Sequence, residues 1–179
     1  MKLQNEKFTA NITAVDTKNL NLDNQSFIYF EENAKNEFSK SHIISVDNGT
    51  RVVQIILVGD LFLYDEHCAV LEYEVLTVLQ NNTLVQINLG TSQIIKQKQI
   101  EEFGGNFELH LIPTGYLVYG ESAVATYDKD LNQIWSFSGK DIFVPTRDRP
   151  ALEIGAHTVS FYDFENNFYE IDFSGKVIE

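Results

Sequence analysis

Metal ligation and nucleophilic catalysis need His and Cys at fixed spacings, so the four histidines and the single cysteine of this 179-residue chain come first. His42, His67, His110 and His157 are scattered, and no two of them stand two or four positions apart. His67 and Cys68 are adjacent, and on a strand adjacent side chains point to opposite faces, so they do not chelate one ion together. No metal site is expected. Asp65 and Glu66 just before Cys68 disfavour a thiolate, and Cys68 reads as a small core residue. Ser138 and Ser174 each precede a glycine without standing between two, so neither sits on a nucleophile elbow. Gly104-Gly105 lacks the Lys-Ser/Thr continuation of a phosphate loop and reads as a turn. Carboxylates pair at Glu31-Glu32, Asp65-Glu66, Glu101-Glu102 and Asp128 with Asp130, and a glycosidase would need two of them facing each other across a cleft. With 26 acidic side chains in the chain, composition accounts for such pairs. No catalytic residue and no cofactor are expected.

One segment stands apart. Pro145-Thr146-Arg147-Asp148-Arg149-Pro150 holds two of the three arginines between two prolines. Its bland reading is a stiff loop whose guanidinium forks pair with nearby carboxylates. Its functional reading is an interaction loop, because Arg is enriched at binding hot spots and loops carry function on rigid scaffolds. The residues expected to meet a partner are therefore Asp65, Glu66, Arg147 and Arg149, assisted by any exposed member of the aromatics that crowd the last repeat, Tyr162, Phe164, Phe168 and Tyr169, most of which are expected in the core.

Charge narrows the partner. Against 26 acidic side chains stand 13 basic ones, a net charge of −13. Residues 1–90 carry −6 and residues 91–179 carry −7, so a division at the midpoint finds both halves negative. Nucleic acid and anionic lipid are bound through clustered Lys and Arg that release counterions, so neither is an expected direct partner, and a basic protein is. Disorder is excluded by 44% hydrophobic residues, thirteen Phe and eight Tyr. Met1 to Lys7 lacks the apolar run of a secretory signal, and Val52 to Val58 is far too short to span a bilayer. With one cysteine no internal disulfide forms, which suits a reducing compartment, and a cytoplasmic location is expected.

The elements that must position these residues are strands. Apolar residues recur with period two in short runs rich in Val, Ile, Tyr, Phe and Thr, separated by Asn, Asp, Gly and Ser. Phe107 to Leu111 and Tyr169 to Phe173 alternate throughout, which predicts that the odd positions pack and the even ones face water. Helix is suggested only at Phe27 to Phe38 and at Ser92 to Phe103, and the second reads equally well as a strand running into a loop. The segment Ile142 to Val144 is expected to be a strand. The protein is expected to be one all-β domain over 1–179.

An apolar residue, an Asp or Asn, a short polar turn, a Lys, Arg or Gln, and an apolar pair recur four times. The Asx positions are Asp47, Asn88, Asp128 and Asp172, with intervals of 41, 40 and 44 residues. Physically this is a hairpin whose Asx side chain accepts from the backbone ahead of it. A period near forty residues in an all-β chain points to propeller blades, here units of roughly 1–58, 59–100, 101–139 and 140–179. A rolled antiparallel sheet or a β-sandwich would use the same hairpins.

The turn Ile171-Asp172-Phe173-Ser174-Gly175-Lys176-Val177-Ile178, and the one ending in Ile134-Trp135, resemble the final hairpin of blades in quinoprotein-type β-propellers. The likeness covers about ten residues of each repeat and implies a propeller-like architecture of four small blades. Two functions from different classes follow from the whole reading. One is a non-enzymatic acidic protein-binding module, such as an immunity or antitoxin-like protein that neutralises a basic partner. The other is a small-molecule or carbohydrate-binding domain, or a hydrolase, with a carboxylate-lined pocket at one end of the scaffold.

Overall fold

In the computed structural model, the described residues are 1–20, 39–59, 66–100, 104–144, 150 and 152–178. They form fifteen strands in four antiparallel sheets of three or four strands each, and none of these sheets closes into a barrel. Among the described residues the only helical element is a single 3-10 turn, Thr17–Asn19. The chain divides into two compact units, Met1–Ile100 and Glu101–Glu179.

The first unit holds two meanders. Strands β1 (Lys2–Gln4), β2 (Thr9–Asp16), β3 (Lys40–Asp47) and β4 (Val52–Val58) pair in sequence order, as do β5 (Ala69–Glu72), β6 (Val75–Gln80), β7 (Thr83–Asn88) and β8 (Gln93–Gln99). In β2, Ala10 and Ile12 are buried while Asn11 and Thr13 are exposed, the period-two pattern that turns one face to the core. Ile12, Ile44, Ile55 and Leu57 of the first sheet, with Phe8 of the β1-β2 turn, pack in one cluster with Leu76, Val78, Val85 and Ile87 of the second and Cys68 just before it. His42 is wholly buried, and its Nδ1 stands 2.7 Å from Gln80 Oε1, so a polar contact ties β3 to β6. Of the stretch Ser92 to Phe103, ambiguous in sequence, Gln93–Gln99 is strand β8, which runs along a sheet edge with Lys96 and Lys98 on it, and residues 101–103 lie outside the described residues. Charged edge strands of this kind resist edge-to-edge aggregation.

The second unit has the same plan. Strands β9 (Asn106–Ile112), β10 (Gly115–Gly120), β11 (Val124–Tyr127) and β12 (Gln133–Phe137) form one meander, and β13 (Leu152–Ile154), β14 (Thr158–Tyr162) and β15 (Phe168–Asp172) form the other. Its core is aromatic. Phe143 packs edge-on against Phe161 at 5.2 Å and against Tyr169 at 6.2 Å, beside Tyr119 and Phe137. Edge-to-face packing sets the positive ring edge against a negative ring face.

Three expectations need correction or placing. Ile142 to Val144 is not a strand: Phe143 N bonds Glu121 O and Ile142 O accepts from Phe164 N, both at 2.8 Å, so the segment bridges two sheets of its unit. Leu111 is 44% exposed and its neighbour Ile112 is buried, at the end of edge strand β9 where it enters the β9-β10 turn; the register shift in its pairing to β10 lies at the other end of the strand, at Phe107. Tyr169, Ile171 and Phe173 are buried as their alternation predicts. The helical reading of Phe27 to Phe38 falls outside the described residues.

The Asx turns are present at all four positions. Asp47 Oδ1 accepts from Gly49 N, Asn88 Oδ1 from Thr91 N, Asp128 Oδ1 from Asp130 N and Asn132 N, and Asp172 Oδ1 from Ser174 N and Lys176 N, all between 2.8 and 3.0 Å. Asp128 and Asp172 open the same five-residue turn, with Leu131 and Gly175 in the left-handed region at its fourth position. A third copy, from Asp163 to Asn167, places Asn166 there. Asn tolerates that conformation better than most residues.

Candidate functional site

Of the four residues expected to meet a partner, Asp65, Arg147 and Arg149 lie outside the described residues, and Glu66 is exposed in the bend before β5. The carboxylate pairs Glu31-Glu32 and Glu101-Glu102 also lie outside them. Asp128 is committed to its turn, where it accepts the N–H of Asp130, so these two carboxylates do not face each other across a cleft. Among the described residues no three His, Cys, Asp or Glu side chains are placed to hold a metal ion. Cys68 is buried, with its Sγ 3.9 Å from Met1 Sδ. On β9 His110 Nε2 stands 2.7 Å from Glu108 Oε2, half-buried and two residues apart on one face.

The unit boundary redistributes the charge. Residues 101–179 carry fourteen acidic and five basic side chains, a net of −9, against −4 for residues 1–100. The acid is concentrated in the second unit, which a division at residue 90 conceals.

Register decides what that acid surrounds. In the β13-β14-β15 sheet Glu153 pairs with Ser160 and Ser160 with Glu170, so these three share a face. Thr158 opposite Asp172 and Tyr162 opposite Phe168 extend the same face, while Val159, Phe161, Tyr169 and Ile171 point to the core. Tyr162 and Phe168 are half-buried to exposed with ring centroids 5.1 Å apart, and Thr158 Oγ1 donates to Glu170 Oε1 at 2.8 Å. At the hairpin tip Phe164 is 62% exposed, next to exposed Glu165 and beside Ile142. An aromatic pair and a projecting Phe are thus bordered by carboxylates on one sheet face and its turn.

A buried acid holds that tip in place. Asp163 is 2% exposed, and its carboxylate accepts from Tyr169 Oη at 2.8 Å, Asn167 N at 2.9 Å, Asn167 Nδ2 at 2.8 Å and the Asp141 backbone N–H. Burial alone would raise its pKa, but the hydrogen bonds from Asn167, Tyr169 and Asp141 outweigh burial and hold it below the ordinary carboxylate value. Tyr169 in turn accepts from Lys140 N at 2.9 Å, and burial followed by the adjacent Asp163 charge pushes its phenol above the ordinary value. Asp163 therefore clamps the segment 140–142 to the β14-β15 turn. In sequence its only signal is a third Asp-initiated turn nine residues before Asp172, and nothing there announces burial.

No protein-family model and no curated protein sequence matches the chain.

Proposed function

We propose that this protein is a non-enzymatic acidic binding module whose second unit docks a basic protein. The observation that carries this reading is the β13-β14-β15 face and its turn, where the Tyr162–Phe168 pair shares the face with Glu153 and Glu170 and the exposed Phe164 stands next to Glu165, in a unit of net charge −9. Rings bordered by carboxylates suit Arg and Lys side chains, which stack on the ring and pair with the acid. The surrounding field steers such a partner in at low salt and disfavours nucleic acid. A concrete form of the reading is an immunity or antitoxin-like protein that neutralises a basic partner in the cytoplasm, where the single, buried Cys68 stays reduced. Four meanders of consecutive strands, each associated with an Asx-capped turn, support blades of a propeller-like fold as the scaffold that presents this face.

The test titrates the whole chain with an oligo-arginine peptide and follows backbone amide resonances at low and raised salt. Shifts centred on Tyr162 to Glu170 that weaken with salt, and that fall in Phe168→Ala, support the reading. Shifts spread over acidic residues of both units, unchanged in Phe168→Ala, overturn it in favour of non-specific charge pairing.

A further inference from the structure

The first unit carries a groove unrelated to the acidic face. It has a volume of about 550 Å³ and is lined by Asn5, Glu6, Lys7, Tyr73 and Glu74, within the size range of small-ligand sites. Two hairpin turns build it. In the β1-β2 turn Asn5 Oδ1 accepts from Lys7 N and Phe8 N, both at 2.9 Å, and buried Phe8 anchors that turn in the core. Asn5 Nδ2 then donates to Tyr73 O at 2.6 Å, which fastens the β5-β6 turn to the β1-β2 turn. Leu89 N donates to Glu74 O at 2.8 Å and braces the β5-β6 turn from the other side. The groove's walls are therefore fixed by hydrogen bonds that involve no ligand.

What the walls present is unusual for a turn. Tyr73 has φ of 50°, in the left-handed region that suits Gly or Asn and strains a bulky residue, and its side chain is 88% exposed. An aromatic held in a strained conformation contributes nothing to the core there, and such strain clusters at binding sites. On the same groove, Lys7 Nζ and Glu74 Oε1 stand 2.9 Å apart. That pair leaves Lys7 with two more N–H donors and Glu74 with its second oxygen, while Glu6 adds a further carboxylate.

We infer that this groove binds a neutral pyranose sugar, its apolar ring face stacked on Tyr73 and its vicinal hydroxyls shared between Lys7 and Glu74. A vicinal diol fits because one hydroxyl donates to the carboxylate while its neighbour accepts from the ammonium. A cationic ligand would have to compete with Lys7 for Glu74, and an anionic one would meet Glu6 and Glu74. The inference is independent of the acidic face, which belongs to the other unit.

The test titrates the full chain with the methyl glycosides of glucose, galactose and mannose and with N-acetylglucosamine, alongside tetramethylammonium chloride and inorganic phosphate. Backbone amide resonances report the site. The expected result is saturable shifts at residues 5–8 and 73–75 with at least one sugar and with neither ion. Tyr73→Gly removes the ring and suits the positive φ, so it should keep or raise the melting temperature while weakening sugar affinity about tenfold. Glu74→Gln should weaken it as well while leaving the fold intact. Absence of shifts with every sugar, shifts with the cation or phosphate instead, or equal affinity in Tyr73→Gly would each overturn the assignment. The oligo-arginine titration reads residues 162–170, so failure of either proposal leaves the other standing.

Discussion

Replacing Asp163 by Ala tests whether the second unit is organised around its buried carboxylate. The substitution removes the acceptor of four donor groups, Tyr169 Oη, Asn167 N, Asn167 Nδ2 and the Asp141 N–H, and leaves Tyr169 Oη as a buried donor. Hydrogen bonds to a charged acceptor contribute about 1.5–3 kcal/mol each, but the Asn167 donors are only partly buried and regain water, so the expected loss is about 3 kcal/mol. For a chain of this length that lowers the melting temperature by roughly 6–12 °C. Urea unfolding followed by near-ultraviolet circular dichroism measures the loss, because Tyr169 sits in the ring cluster with Phe137, Phe143 and Phe161. Tyr169→Phe should cost less, about 1–2 kcal/mol, since Lys140 N loses its acceptor but the Asn167 bonds to Asp163 survive. The two substitutions should couple by about 1 kcal/mol or more in a double-mutant cycle. A loss below about 1 kcal/mol for Asp163→Ala, or simple additivity, would refute the clamp.

Acid stability follows from the same site. The folded Asp163 pKa lies below its ordinary value of 3.8, so its contribution is complete above that value and is lost as pH falls through the folded value; Asp163→Asn should flatten this acid limb of a stability profile. Tyr169 is raised above 10.0, so its contribution persists at lower pH and disappears as pH rises through the raised value, which Tyr169→Phe should abolish. Gly175→Ala places a Cβ 2.7 Å from Trp135 Cγ at a φ of 92°, so it should destabilise the second unit and shift the fluorescence of the only tryptophan. Asp128→Ala removes three turn bonds and should lower stability by about 1 kcal/mol in thermal unfolding. Lys7→Ala breaks an exposed ion pair and should change stability by less than about 0.5 kcal/mol, whatever it does to groove binding.

Local rules made much of the architecture readable. Strand patterning, the Asx turns at Asp47, Asn88, Asp128 and Asp172, and the interior place of Cys68 depend on period, backbone reach and hydropathy within a few residues, and those are written in the chain. Where tertiary bonds claimed the backbone, local pattern misled. Ile142 to Val144 has the composition of a strand, but its N–H and C=O groups are claimed by Glu121 and Phe164, and the burial of Phe143 takes precedence over sheet pairing.

The candidate sites were far less legible. Of Asp65, Glu66, Arg147 and Arg149 only Glu66 lies among those described, whereas of the aromatics that crowd the last repeat Tyr162 and Phe168 are set on one face with Glu153 and Glu170 by strand register and Phe164 is exposed in the turn. Asn5 and Tyr73 are 68 positions apart and meet only because two hairpins converge. The sequence by itself determined the strands, their turns and the net charge, because each depends on nearest neighbours along the chain or on simple counting. Only tertiary structure decided which carboxylate is buried and hydrogen-bonded, which aromatic is left in water, and how the charge divides between the two units. Those depend on which distant side chains are brought within a few ångströms, and short-range sequence pattern does not encode that.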